Sequence, residues 1–115
     1  KEKYKYIKDE SSSSFFMNKL LWYLLAGTRG GESRGRILFV LQKRPANANQ
    51  LAVKLHLDYK TIRHHLNVLE KNSFITTINR GKYNTAYVWS AFLEQQKELF
   101  GEIWRKYGKD LGKRR

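Results

Sequence analysis

From Asp58 to Asn72 the chain reads DYKTIRHHLNVLEKN, and Ile62, Leu66 and Leu69 recur there at steps of four and three. That spacing sets them on one stripe of an α-helix. Asp58 can cap it by accepting from the first free N–H groups. Tyr59, Lys60, Arg63, His64 and Asn67 fall off the stripe. A helix with an apolar back and a face of donors, cations and a flat ring suits a DNA major groove. Upstream, Asn47 can cap a short helix over 48–55 that turns Leu51, Ala52 and Leu55 inward. His56-Leu57 then forms the turn, because His tolerates a left-handed backbone better than most side chains. The two helices make a helix-turn-helix, with 58–72 as its recognition helix.

The flanking patterns extend this unit. A helix over 14–26, with Ser13 or Ser14 as its cap, carries Phe15, Phe16, Leu20, Leu21, Trp22, Tyr23, Leu24 and Leu25 around nearly its whole circumference. Such a helix must be buried on several sides. GTRGG at 27–31 breaks it, and Ile37, Leu38, Val40 and Leu41 mark a helix over 32–44 that ends at Pro45. After the recognition helix the period drops from 3.6 to 2. Residues 74–79 and 85–90 read as strands joined by Arg80-Gly81-Lys82-Tyr83-Asn84, a hairpin with a basic tip. Ser90 caps a last helix over 91–107, with Leu93, Phe100, Ile103, Trp104 and Tyr107 on one side. The predicted fold is mainly α with a small β-hairpin. It is a winged helix-turn-helix domain over 14–107, between a charged, serine-rich segment at 1–13 and a basic tail at 108–115. The apolar surface of Phe15, Phe16, Leu20, Trp22, Tyr23, Phe100, Trp104 and Tyr107 exceeds what one small domain can cover. It predicts a homodimer interface built from the two terminal helices.

Charge sharpens the choice of partner. The 115 residues carry a formal net charge of +13, which favours a polyanion: nucleic acid or an acidic membrane surface. Between Thr28 and Pro45, Arg29, Arg34, Arg36, Lys43 and Arg44 face only Glu32, and they read as solvated helix flanks. There are no cysteines, so disulfides, thiolate metal sites and a cysteine nucleophile are excluded. His64 and His65 are helix neighbours whose side chains diverge by about 100° and do not readily share one metal. GTRGG lacks the spacing and the lysine of a phosphate-binding loop. No enzyme activity, cofactor or metal is expected. Lys1–Glu10 has no apolar core for a signal peptide. The longest apolar run, Leu20–Ala26, is far short of the roughly 20 residues that span a bilayer. A cytoplasmic protein is expected. The chain starts at Lys1, which leaves room for an upstream domain or membrane anchor.

QLAVKLHLDYKTIRHHLNVLEKNSFI resembles the helix-turn-helix of ArsR-type transcription regulators, in which a Thr or Ser, a β-branched residue, a variable pair and His-Leu recur, as in Thr61–Leu66. With GTRGGESRGRIL, NANQLA and GKYNTAY, the stretch Gly27–Ser90 looks most like archaeal winged-helix proteins of this group. The resemblance implies a DNA-binding homodimer with recognition helices in successive major grooves. It also implies that His65 is structural while Arg63 and His64 face outward. Metal sensing is not carried over, because Cys is lacking and the last helix has no His. Ser73 stands where the family usually has Gly.

The expected contacts to double-stranded DNA follow. Arg63 suits a guanine edge, Asn67 an adenine edge, and His64 a base or a phosphate. Tyr59 and Lys60 suit backbone phosphates, and Asn47 and Gln50 add contacts from the preceding helix. Arg80 and Lys82 at the hairpin tip suit the backbone or the minor groove. Two other readings use the same charge. One is a non-specific architectural protein. The other is a regulator at a membrane surface, touching lipid through its first helix and the nearby arginines.

Overall fold

The computed structural model describes residues 13–80 and 85–108. The N-terminal segment 1–12, the hairpin tip with Lys82, and the tail 109–115 lie outside the described residues, as do the side chains of Phe15 and Tyr107. Four helices come first: α1 Ser13–Ala26, α2 Gly31–Lys43, α3 Ala48–Leu55 and α4 Tyr59–Lys71. Strands β1 Ile75–Ile78 and β2 Ala86–Trp89 pair antiparallel, with Ile75 opposite Trp89 and Ile78 opposite Ala86. Two short helices, α5 Ala91–Gln95 and α6 Lys97–Ile103, and a π-helical turn at Trp104–Gly108 close the described chain. This is a winged helix-turn-helix.

The local signals act as their chemistry suggests. Asn47 and Gln50 form a capping box on α3, each side-chain oxygen accepting the other's backbone N–H at 2.8 Å. His56 takes the left-handed conformation at φ 59°. Asp58 accepts from Thr61 N at 2.7 Å to start α4. Gly31 lets α2 begin against the end of α1, where a Cβ would stand 2.1 Å from the Leu25 carbonyl oxygen. Ser73 keeps a left-handed exit from α4 at φ 69° without being glycine.

The core runs through every element. Leu21, Ile37, Leu38, Leu51, Ile62, Leu66, Leu69, Phe74 and Leu93 are fully buried. Trp89 donates its indole N–H to the Leu38 carbonyl at 2.8 Å, tying β2 to α2. Ala46 bridges to Tyr87 and so fixes the entry to α3 against the hairpin.

Two expectations are corrected here. The single helix over 91–107 is broken at Gln96, whose N–H turns back to Leu93 O at 2.8 Å. The break lets Leu93 from α5 and Leu99, Phe100 and Ile103 from α6 all enter the core. Phe100, expected between subunits, is 1 % exposed and stacks edge-on to Trp89, so it belongs to the core of its own chain. The other expected interface positions differ from it. Phe16 is 70 % and Tyr23 59 % exposed, and Leu20, Trp22 and Trp104 are half-buried.

Candidate nucleic-acid interface

Helix α4 divides as its sequence suggests. Ile62, Leu66 and Leu69 are fully buried, and His65 is 7 % exposed. Lys60, His64, Asn67 and Lys71 are exposed and recur at steps of four, three and four, a continuous polar stripe opposite the core. Lys71 was missed by the sequence reading, although it extends the same periodicity one turn beyond Asn67. Tyr59 stands half out of the surface at the helix start.

Arg63 is not a free outward side chain. It is half-buried, and its guanidinium donates to the Tyr87 hydroxyl on β2 at 2.8 Å. The bond orients the arginine, whose guanidinium carries further donors. Beside it lies a polar cleft of about 310 Å³ lined by Asn47, Asn49, Tyr59, Arg63, Thr85 and Tyr87. The cleft thus gathers three expected contacts, Asn47, Tyr59 and Arg63, with the first backbone N–H groups of α3. A helix N-terminus with amide and guanidinium donors around it favours an anion such as a phosphate. Asn49 and Thr85 are further members that no motif or periodicity singles out. Gln50, Lys60, His64 and Asn67 do not line this cleft. Capping commits the oxygens of Asn47 and Gln50, and their amide NH₂ groups stay available as donors. Arg80 pairs with Glu70 of α4, both carrying exposed surface, a contact that water and salt weaken.

Behind α4 lies a buried polar cluster. Arg34 of α2, 5 % exposed, donates from Nε to the Leu24 carbonyl at 3.1 Å, from one terminal nitrogen to the Thr28 hydroxyl, and from the other to His65 Nδ1 at 3.2 Å. An arginine only donates. Nδ1 of His65 is therefore the acceptor, and the ring is neutral with its proton on Nε2. Burial, then the Arg34 charge, then His64 push the His65 pKa down to about 4. Burial also lowers the pKa of the Arg34 guanidinium, against a smaller opposing effect of Tyr23. The guanidinium caps the C-terminal end of α1, where carbonyls lack helical partners. Arg36 does the same for α3, donating to the Leu55 carbonyl at 3.2 Å. Two of the arginines expected to be solvated flanks are thus structural caps. Among the described residues no group of three metal-ligating side chains comes together. No helix among them is long and apolar enough to cross a membrane.

Residues 31–77, from the start of α2 into β1, match the family described as bacterial regulatory protein, arsR family. The helix-turn-helix is similar to that of the arsR regulators. No curated protein sequence matches the chain. Among solved structures, HlyU from Vibrio cholerae is similar, with a TM-score of 0.61 and 19 % identity over 78 % of this chain and 91 % of that one. An ArsR-like transcriptional regulator from Rhodococcus sp. RHA1 has a TM-score of 0.58 and 20 % identity over 88 % and 92 %. A mutant MepR of S. aureus, bound to an oligodeoxyribonucleotide, has a TM-score of 0.55 and 17 % identity over 96 % and 82 %. At these identities the likeness establishes the fold. These matches are bacterial and lend no support to the archaeal resemblance read from the sequence.

Proposed function

We propose that the chain is a DNA-binding transcription regulator that acts as a homodimer. Its α4 lies in the major groove and its hairpin runs along the flanking backbone. The observation that carries this reading is the polar stripe Lys60–His64–Asn67–Lys71 beside the polar cleft at the start of α3. The stripe offers donors at base-edge depth and the cleft suits a backbone phosphate, the two kinds of contact that sequence recognition combines. The arsR match over 31–77 and the oligonucleotide-bound MepR fold support the same direction. In this reading Asn67 and His64 meet base edges. Arg63, turned toward the cleft by Tyr87, holds a phosphate with Tyr59 and Asn47, and Lys60 and Lys71 bracket the groove. Arg80 and Lys82 follow the backbone beyond it.

Dimerisation supplies the second half-site. Phe16, Leu20 and Tyr23 recur on α1 at steps of four and three, with Phe16 and Tyr23 exposed, and leave an apolar stripe of the kind that two subunits cover. Selection from a random duplex library by the full chain tests the proposal. The expected winners contain an inverted repeat with half-sites about one helical turn apart. They stay bound at salt that releases random duplex. A library that enriches no sequence contradicts it and favours a non-specific architectural role.

A further inference from the structure

Apart from the polar cleft, a groove of about 470 Å³ opens between α2 and α3. Phe39, Val40 and Pro45 give it apolar walls, and Lys43, Arg44 and Lys54 stand exposed around it. Its size is that of a small-molecule site. Phe39 is a fixed wall: its ring stacks on Trp104, with centroids 5.4 Å apart and planes within 16°. The Lys43 ammonium lies over the same ring, 4.8 Å from its centroid, at the groove's edge. No carboxylate lines the groove, and among the described residues the ion pairing of Arg80 with Glu70 involves none of its cations.

We propose that this groove binds an organic anion with a flat apolar body, an aromatic carboxylate or sulfonate. The apolar walls remove a flat ring from water between Phe39, Val40 and Pro45. The three cations then take the acid group through charge-assisted hydrogen bonds. A DNA phosphate would use the cations but gain nothing from the apolar walls. A neutral hydrophobe would use the apolar walls but gain nothing from the cations. The occupant is the one that needs both. This site goes beyond DNA recognition, and its test needs no DNA, so either reading can fail alone.

The test is an amide NMR titration of the full chain with 1-naphthoate, set against 1-naphthalenemethanol as neutral isostere and against inorganic phosphate. The expected result is a saturable shift of the Val40, Lys43, Arg44 and Ala46 amides with naphthoate. The alcohol and phosphate should each bind about tenfold or more weakly, since each lacks half of the recognition. Lys43→Gln, Arg44→Gln and Lys54→Gln together should reduce naphthoate to the level of the alcohol. Lys54→Gln alone should weaken it measurably, which keeps the test intact if the triple variant misfolds. The proposal is overturned if naphthoate leaves these amides unmoved. It is equally overturned if phosphate or the alcohol binds as well as naphthoate, or if neither set of substitutions weakens it.

Discussion

Replacing Arg34 with Met removes a buried guanidinium and keeps an unbranched apolar stem, so its cost reports the cluster behind α4. Three acceptors lose a donor: Leu24 O, the Thr28 hydroxyl and His65 Nδ1. Leu24 O keeps the Thr28 hydroxyl at 3.2 Å. The orphaned His65 nitrogen is the serious loss, about 1–3 kcal/mol for a buried unpaired acceptor. The weakened end of α1 adds to this, and relief from burying a charge without a carboxylate offsets part. A net loss of about 2–3 kcal/mol at pH 8 is expected. The pH dependence distinguishes this account from simple loss of packing. The folded pKa of His65, about 4, lies below the ordinary value near 6.5 of the unfolded chain. Between those values the unfolded chain takes a proton that the folded one refuses. Stability is therefore complete above about pH 6.5 and falls, by an amount on the order of 3 kcal/mol, as pH drops toward 4. Without Arg34 one of the causes holding that pKa down is gone. Wild type and variant should then converge as pH falls. Urea unfolding followed by circular dichroism from pH 8 to pH 5, at one protein concentration because a dimer's stability depends on it, measures both. Parallel stability curves, or no loss at pH 8, would refute the reasoning.

Ser73→Gly should raise stability by about 0.5–1 kcal/mol in thermal unfolding, because relief of the left-handed strain at φ 69° outweighs the extra freedom of glycine when unfolded. Gly31→Ala should cost about 3 kcal/mol, since its Cβ would meet the Leu25 carbonyl oxygen at 2.1 Å and the α1–α2 junction must move. A midpoint unchanged in urea would count against that close approach. Phe16→Asp with Tyr23→Glu should convert a dimer into a folded monomer in light scattering at micromolar concentration, with the far-ultraviolet spectrum retained. A wild-type chain already monomeric there would remove the dimer from the account.

Much of the fold was legible because its signals are local. Asp58, Asn47 and Ser90 are caps that act within three residues of themselves, and the Ile62–Leu66–Leu69 stripe needs nothing beyond helical periodicity. The break at Gln96 was hidden because no Gly or Pro marks it, and it exists to bring Leu93 and Leu99 into one core. The site was legible only in part. Side-chain type showed that Arg63 and Asn67 share a helix. It could not show that Arg63 would be held by Tyr87, 24 positions away, because that contact depends on how the hairpin packs. Arg34 and Arg36 looked like solvent-exposed charge because the helix ends they cap are adjacent only after folding. Ser73 shows the reverse case: a residue unlike glycine keeps the glycine conformation because the turn into β1 requires it.

The central claim, that α4 reads base edges, is tested most directly by fluorescence anisotropy of wild type and Asn67→Ala on a library-selected duplex and on random duplex at the same salt. Asn67 is exposed on the polar stripe and touches none of the buried core positions of α4, so folding should be unchanged. The expected result is a loss of about 1–3 kcal/mol on the selected duplex and little change on the random one. Equal losses on both duplexes, or a wild type that binds both alike across the salt series, would contradict it.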